Sequence, residues 1–232
     1  MPRNLIQILT RFKRIIIAIY VYSNLRRPFK KYRIIIARGN DLMKKIYTLR
    51  YEVYCEEVKL LNRSEYPERF EKDEYDENSV HFAVLDHKND VIGTVRLIKK
   101  SNLQFPTITE YKLEDQLKDI DKDHLVEISR FMVKKEFRKT MLMVDICKAI
   151  YLYSKKNGIN FWLGCAERWF IHSMNQLFGP LNIIKEPKFC FNAMNYPFIL
   201  GLDEAERNVK RISSVLNKYF NENVKNIQVY EY

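Results

Sequence analysis

Residues 71–76 read Glu71-Lys72-Asp73-Glu74-Tyr75-Asp76, a cluster of acids around one aromatic ring. Two later arginines fall in stretches that read as strands. Arg96 lies in Gly93-Thr94-Val95-Arg96-Leu97-Ile98, and Arg130 lies in Glu127-Ile128-Ser129-Arg130-Phe131. Arginine keeps its charge and pairs with carboxylates through a planar fork. Acids and arginines of this number can form a network that holds a cationic amine and pre-sets a proton transfer. The competing reading is a solvated acidic loop with unrelated strand arginines.

These residues need a scaffold that brings positions 50–130 together. Tyr32–Ala37 is short and β-branched and reads as a first strand ended by Gly39. Asn40 or Asp41 is placed to cap a helix running to about Cys55. In it Leu42, Ile46, Leu49 and Val53 face a core, and Arg50 and Tyr54 share a neighbouring face one turn apart. Residues 56–78 are polar and read as a long loop over a pocket. Val80–Leu85 and Val91–Ile98 read as a hairpin turned at His87–Asp90, with His81 as a satisfied strand histidine. A short helix is expected near Thr109–Leu117, and Leu125–Val133 is the next strand. Strict alternation puts Glu127 and Ser129 on one face and Arg130 on the other, unless a bulge intervenes. Thr140–Lys156 is an amphipathic helix, Ile159–Cys165 a buried strand and Glu167–Phe178 a helix. Leu181–Ile184 and Phe189–Ala193 read as late strands, and Asp203–Phe220 as one final helix.

The acidic box and its arginines resemble the acyl-homoserine-lactone (autoinducer) synthase signature. Glu71-x-Asp73-x-Tyr75-Asp76 is similar to its E-x-D-x-[F/Y]-D, and Leu49-Arg50 with Tyr54 to its L-R-x-x-x-F. Arg96 is similar to the arginine of its G-x-x-R-L, and Glu127, Ser129, Arg130 and Phe131 to its E-x-S-R-F. Leu49–Ile98 resembles still more the acyltransferases associated with PEP-CTERM/exosortase systems. The resemblance covers roughly residues 33–205. Two departures stand out: Leu60 replaces a tryptophan of the signature, and Glu57 replaces a basic or amide residue.

The resemblance implies an α/β GNAT-like acyltransferase fold. Its mixed central sheet splays between the fourth and fifth strands, with helices on both faces. The splay admits a pantetheine arm, and the helix after the fourth strand aims its N-terminus at a phosphate. Here that turn, Lys135–Met141, has none of the glycines typical of coenzyme-A users. This favours acyl-carrier protein over coenzyme A as the acyl co-substrate, and no tightly bound cofactor is expected. Lys134, Lys135, Arg138 and Lys139 are expected to dock an acidic carrier.

The reaction implied is N-acylation, with a fatty acyl thioester as donor and an amine, in the likeness of N-acyl amino acid synthases an amino acid, as acceptor. Glu127 is expected as general base, with Arg96, Arg130 and Ser129 as its catalytic company. Arg50, Tyr54, Glu71, Asp73, Tyr75 and Asp76 are expected on the acceptor side, Asp73 and Asp76 holding the ammonium or the local arginines. Backbone N–H groups of the fourth strand are expected to stabilise the oxyanion. Two other readings stay open. One is a true homoserine-lactone synthase using S-adenosylmethionine. The other is a non-catalytic acyl-carrier or membrane-binding module.

Composition narrows the field. The 232 residues are 47% hydrophobic and carry only six glycines and seven prolines, which suits one domain with a real core. Ten of the 40 basic residues lie in residues 1–40, which hold no acid, leaving 30 basic against 29 acidic residues beyond. Ten of the eleven net positive charges therefore lie in residues 1–40, and the basic excess belongs to the N-terminal end. We divide the chain into a basic amphipathic arm (1–31), a GNAT-like domain (32–222) and a tail (223–232). Residues 3–22 have helical apolar spacing, suited to lying on an anionic membrane surface or to packing on the domain. The run Ile15–Tyr22 is too short to span a bilayer, and no cleavage site follows it. No nucleic-acid recognition motif accompanies the charge. Cys55, Cys147, Cys165 and Cys190 lack metal-ligand spacing and read as reduced thiols of a cytoplasmic protein, with no metal expected. Cys165 as an acyl-enzyme nucleophile is the minor alternative.

Overall fold

The computed structural model describes residues 32–138, 140–190, 192–222 and 227–228. The basic arm and Lys139 lie outside the described residues.

The described chain begins with β1 (Tyr32–Ile36) and α1 (Asn40–Tyr51), which passes directly into a π-helical segment, Glu52–Glu57. Then come β2 (Ser79–Asp86), β3 (Val91–Ile98), α2 (Pro106–Tyr111), β4 (Leu125–Val133) and α3 (Leu142–Lys156). β5 (Phe161–Glu167), α4 (Arg168–Phe178), β6 (Asn182–Ile183), β7 (Lys188–Cys190) and β8 (Ala193–Gly201) follow. α5 (Leu202–Ile212), α6 (Ser214–Asn221) and β9 (Ile227–Gln228) end the described chain. The sheet runs β6-β8-β5-β4-β3-β2-β1-β9, with β7 also on β8. β4 and β5 are parallel, as are β1 and β9, and the other pairs are antiparallel.

Period-two alternation sends side chains to two cores. On β2, Phe82 and Val84 join the larger core under α3–α6, while Ala83 and Leu85 meet Ile46 and Leu49 of α1. A third core forms under α2, where Ile108 and Tyr111 meet Leu125, Leu163 and Ile199. α1 and α2 thus cover one face side by side.

The parallel ladder between β4 and β5 is short. Pairing covers Leu125–Glu127 with Phe161–Leu163 and then stops, although both strands continue. This is the splay expected of the fold. Gly164 stands at the fork: a Cβ there would lie 3.1 Å from the Ile128 carbonyl oxygen and 3.1 Å from the Phe198 ring. Gly164→Ala is expected to destabilise the protein by about 1–3 kcal/mol through overpacking, read by urea denaturation.

Several boundaries differ from expectation. Neither Asn40 nor Asp41 caps α1: Gly39, at φ 80°, precedes it with no side-chain cap bond. The helix expected to reach Cys55 changes to π-helical winding at Glu52. The short helix near Thr109–Leu117 starts earlier, because Pro106 suits a first helical turn, and it stops at left-handed Lys112. Leu42 is only partly buried, although Ile46, Leu49 and Val53 are buried. The nine-residue β8 was not expected, since Pro197 and Asn195 obscure it. Ile184 N donates to the Pro197 oxygen at 3.1 Å, so the missing Pro197 N–H also faces the outer side, beyond the end of two-residue β6. The single final helix is two. Ser213 is extended between them and accepts from Leu216 N at 3.3 Å, capping α6.

Candidate active site

Arg96 on β3 and Glu127 and Ser129 on β4 point to the face covered by α1 and α2. Arg96 stands opposite Ser129 in the ladder, and its Nε donates to Ser129 Oγ at 2.9 Å. Arg130 should face away, but a bulge turns it. The register jumps from Arg96–Ser129 to Thr94–Met132, so Arg130 and Phe131 together oppose Val95. Arg130 takes φ 49°, a left-handed conformation that costs a non-glycine residue about 1–3 kcal/mol. The result is two arginines on one face.

The acidic box closes on them, with Arg50 arriving from α1. Arg50 Nε donates to Glu71 Oε2, and Arg50 Nη1 to Asp76 Oδ1 at 2.7 Å. Arg96 Nη1 donates to Asp76 Oδ1 at 2.6 Å and also to Asp73 Oδ1, with Nη2 reaching Asp73 Oδ2 at 3.0 Å. Arg130 Nη2 donates to Glu71 Oε1 and to Asp73 Oδ2, both at 2.8 Å, and its guanidinium lies 5.3 Å from the Tyr54 ring centre. Three carboxylates and three guanidiniums balance to zero charge. Arg50, Glu71, Asp76 and Arg96 are buried, while Asp73 and Arg130 keep 19% and 23% side-chain exposure and form the open edge.

The network holds its acids ionised. Burial raises the Asp76 carboxyl, but the Arg50 hydrogen bond and the charges of Arg50 and Arg96 outweigh it and hold it at about 2. Glu71 and Asp73 are also lowered, burial being outweighed by Arg130 and Arg50 in one and by Arg96 and Arg130 in the other. The competing solvated-loop reading fails, because burying these acids without partners would be costly.

Glu127 has a different environment. It is 3% exposed. Thr107 N, in the first turn of α2, donates to Oε2 at 3.0 Å, and Thr107 Oγ1 donates to Oε1 at 2.7 Å. Burial pushes its carboxyl up to about 7, against the hydrogen bonds of Thr107 and the charges of Arg96 and Arg130. Glu127 is the last β4 residue paired with β5, so it sits at the fork of the splay. A buried carboxyl titrating near neutrality there suits proton transfer.

Tyr75 does not join the network and packs against the core of Ile98, Leu163 and Ile108. Cys165 lies across the fork, and burial pushes its thiol up to about 12, so it lacks the thiolate a nucleophile needs. Cys165→Ala is expected to keep acyl-transfer turnover within a few-fold of the intact protein, measured by free-thiol release. Lys134 is half-buried and Lys135 exposed. Arg138 is not free: its Nε donates to the Val133 oxygen at 2.8 Å and its terminal nitrogens grip Glu57, Nη2 at 2.8 Å.

Sequence reasoning missed Thr107 and Tyr47. Pro106 before Thr107 was the available signal, since a helix opening there leaves the Thr107 N–H without a helical partner. Tyr47 lies 5.3 Å from the Arg50 guanidinium and edge-on to His81. His81 Nε2 is 3.2 Å from the Asp76 carbonyl oxygen, and burial lowers its pKa. Among the described residues, Arg50 Nη2 and His81 Nδ1 are buried polar atoms without a hydrogen-bond partner. No group of three or more His, Cys, Asp or Glu side chains among them is arranged to hold a metal ion. No helix among them is long and apolar enough to cross a membrane.

Residues 49–147 match the family model of the acetyltransferase (GNAT) domain. No curated protein matches the chain in sequence. Solved structures do match in fold. TofI, solved in a ternary complex with an inhibitor and MTA, is 16% identical at TM-score 0.63, covering 81% of this chain and 100% of its own. BjaI, a CoA-dependent acyl-homoserine lactone synthase solved with SAM and isopentyl-CoA, is 19% identical at TM-score 0.60, covering 78% and 89%. FeeM, an N-acyl amino acid synthase from uncultured soil microbes, is 15% identical at TM-score 0.57, covering 76% and 93%. The chain therefore has the GNAT fold, the fold of these solved structures, and its residues 49–147 match the GNAT domain model.

Proposed function

We propose that this protein is an N-acyltransferase that moves a fatty acyl group from a thioester to the amine of an amino acid. The observation that carries the reading is Glu127, buried at the fork of β4 and β5 with its carboxyl near 7. The acyl thioester enters the splay. The amine attacks its carbonyl carbon, forming the C–N bond. Glu127 takes the ammonium-derived proton through a water, and the tetrahedral oxyanion is met by β4 N–H groups beyond the last pair with β5. Collapse breaks the C–S bond, and the proton returns to the departing thiolate.

The charge balance of the network bears on the acceptor. Asp73 and Asp76 are spent on Arg50 and Arg96, so they offer an ammonium little net attraction. Arg130 lies at the open edge, with its Nε and Nη2 engaged and its Nη1 left to bind a carboxylate. An amino acid brings that carboxylate beside its amine. The basic turn of Lys134, Lys135 and Arg138 suits an acidic carrier protein as the donor's vehicle.

The test is mass spectrometry of lipid extracts from cells producing the intact protein or the Glu127→Gln/Arg96→Ala double variant. An N-acyl amino acid present only with the intact protein supports the reading. An acyl-homoserine lactone instead, or turnover requiring S-adenosylmethionine, establishes the lactone-synthase reading. Thioester binding with no acylated product from a panel of amino acids leaves the non-catalytic module.

A further inference from the structure

Glu57 and Arg138 meet across 81 residues of sequence. Arg138 sits in the turn between β4 and α3, where it presents both terminal nitrogens to the two Glu57 oxygens. A phosphate offers the same two-oxygen edge to a guanidinium. Glu57 ends the π-helical segment that continues α1, which carries Arg50 of the ion-pair network, while Tyr54 within the segment lies against Arg130. The Glu57–Arg138 pair therefore ties the acceptor side of the site to the turn after β4.

Resting on the thioester-donor reading above, we propose that Glu57 is an internal stand-in for the phosphate of a phosphopantetheine donor. The arriving phosphate takes Arg138 from Glu57 and frees the end of the π-helical segment from the β4–α3 turn. The exposures make this exchange feasible. The Arg138 and Glu57 side chains are 38% and 32% exposed, the range in which an ion pair contributes little and is readily displaced. A phosphate brings at least equal charge and has Lys135 in the same turn as a second partner. Donor binding then loosens the segment that carries Tyr54, so the donor enters before the acceptor.

The test is calorimetric titration of the full chain with 4′-phosphopantetheine and with pantetheine, which lacks the phosphate. Glu57→Gln is expected to bind phosphopantetheine about three- to fivefold more tightly than the intact protein, with pantetheine unchanged. Arg138→Gln is expected to lose most of the preference for phosphopantetheine over pantetheine, the remainder coming from Lys135. Equal phosphopantetheine affinity in the intact protein and Glu57→Gln, or equal tightening of pantetheine, overturns the proposal. So does the absence of phosphopantetheine binding to either. Titration with coenzyme A and with holo- against apo-carrier protein separates the sources: tightening on Glu57→Gln appears with whichever form carries the phosphate in. If the tightening occurs but no acyl transfer is ever found, the latch stands and the enzymatic reading falls. If transfer occurs and Glu57→Gln changes no affinity, the reverse holds.

Discussion

Glu127→Gln is expected to lower kcat about 10²–10⁴-fold, the usual contribution of a positioned general base. In the intact protein kcat/KM should rise with pH and level off near pH 7, where the Glu127 carboxyl titrates. The residual activity of the variant should lack that limb. The same group makes a stability prediction of defined sign. Its folded pKa lies above the unfolded value of a glutamic acid, because burial favours the neutral form. The stability it contributes is full below the unfolded value near 4.5 and is lost as pH rises through about 7. Glutamine cannot titrate. The stability of the variant relative to the intact protein should therefore improve by about 3 kcal/mol between pH 4 and pH 8, read by urea denaturation at both. Equal slopes with pH, or full turnover by the variant, would remove Glu127 from the role of base.

Arg50→Met is expected to cost about 3–5 kcal/mol, because it removes one partner of a buried network and leaves a net negative charge inside. For a domain of this size that lowers Tm by about 6–20 °C. The methionine fills much of the volume, so the loss reports charge more than packing. Adding Asp76→Asn should recover part of it by restoring the balance of two carboxylates against Arg96 and Arg130. A double variant less stable than Arg50→Met would show that Asp76 acts independently of the charge count. The pH dependence runs opposite to that of Glu127. Glu71, Asp73 and Asp76 have lowered pKa values, so their stabilisation is present above the unfolded values near 4 and is lost as pH falls through their folded values, about 2 for Asp76. In Arg50→Met acid unfolding should begin at higher pH.

Much of the sheet was legible because local rules act on neighbouring residues. Leu125–Val133 is a strand at the expected bounds, since its β-branched and apolar residues need no distant partner to favour extension. The ends of α3 at Lys156 and of α4 at Phe178 follow from Asn157-Gly158 and Gly179-Pro180. β8 escaped because Pro197 looks like a strand breaker, and only its place beside a two-residue outer strand makes the missing N–H harmless.

The site divides in the same way. The acidic box at 71–76 with Arg96 and Arg130 suggested carboxylate–arginine chemistry by residue type, and the family resemblance added Arg50 and Glu127 to it. Three features depended on the tertiary structure. The bulge opposite Val95 turned Arg130 onto the face of Arg96, because an extra residue in one strand reverses the alternation that sequence predicts. Folding drew the carboxylates apart: the guanidiniums of Arg50 and Arg96 outweigh burial and hold Asp76 at about 2, while burial pushes Glu127 up to about 7 against the Thr107 hydrogen bonds, since desolvation and partner charge are properties of neighbours in space. Arg138 was given to Glu57, 81 residues away, rather than left open to an incoming phosphate. Sequence by itself determined which charges are present and in what order. Which charges cancel, and which one remains free to take a proton, was decided only when folding fixed their distances and removed their water.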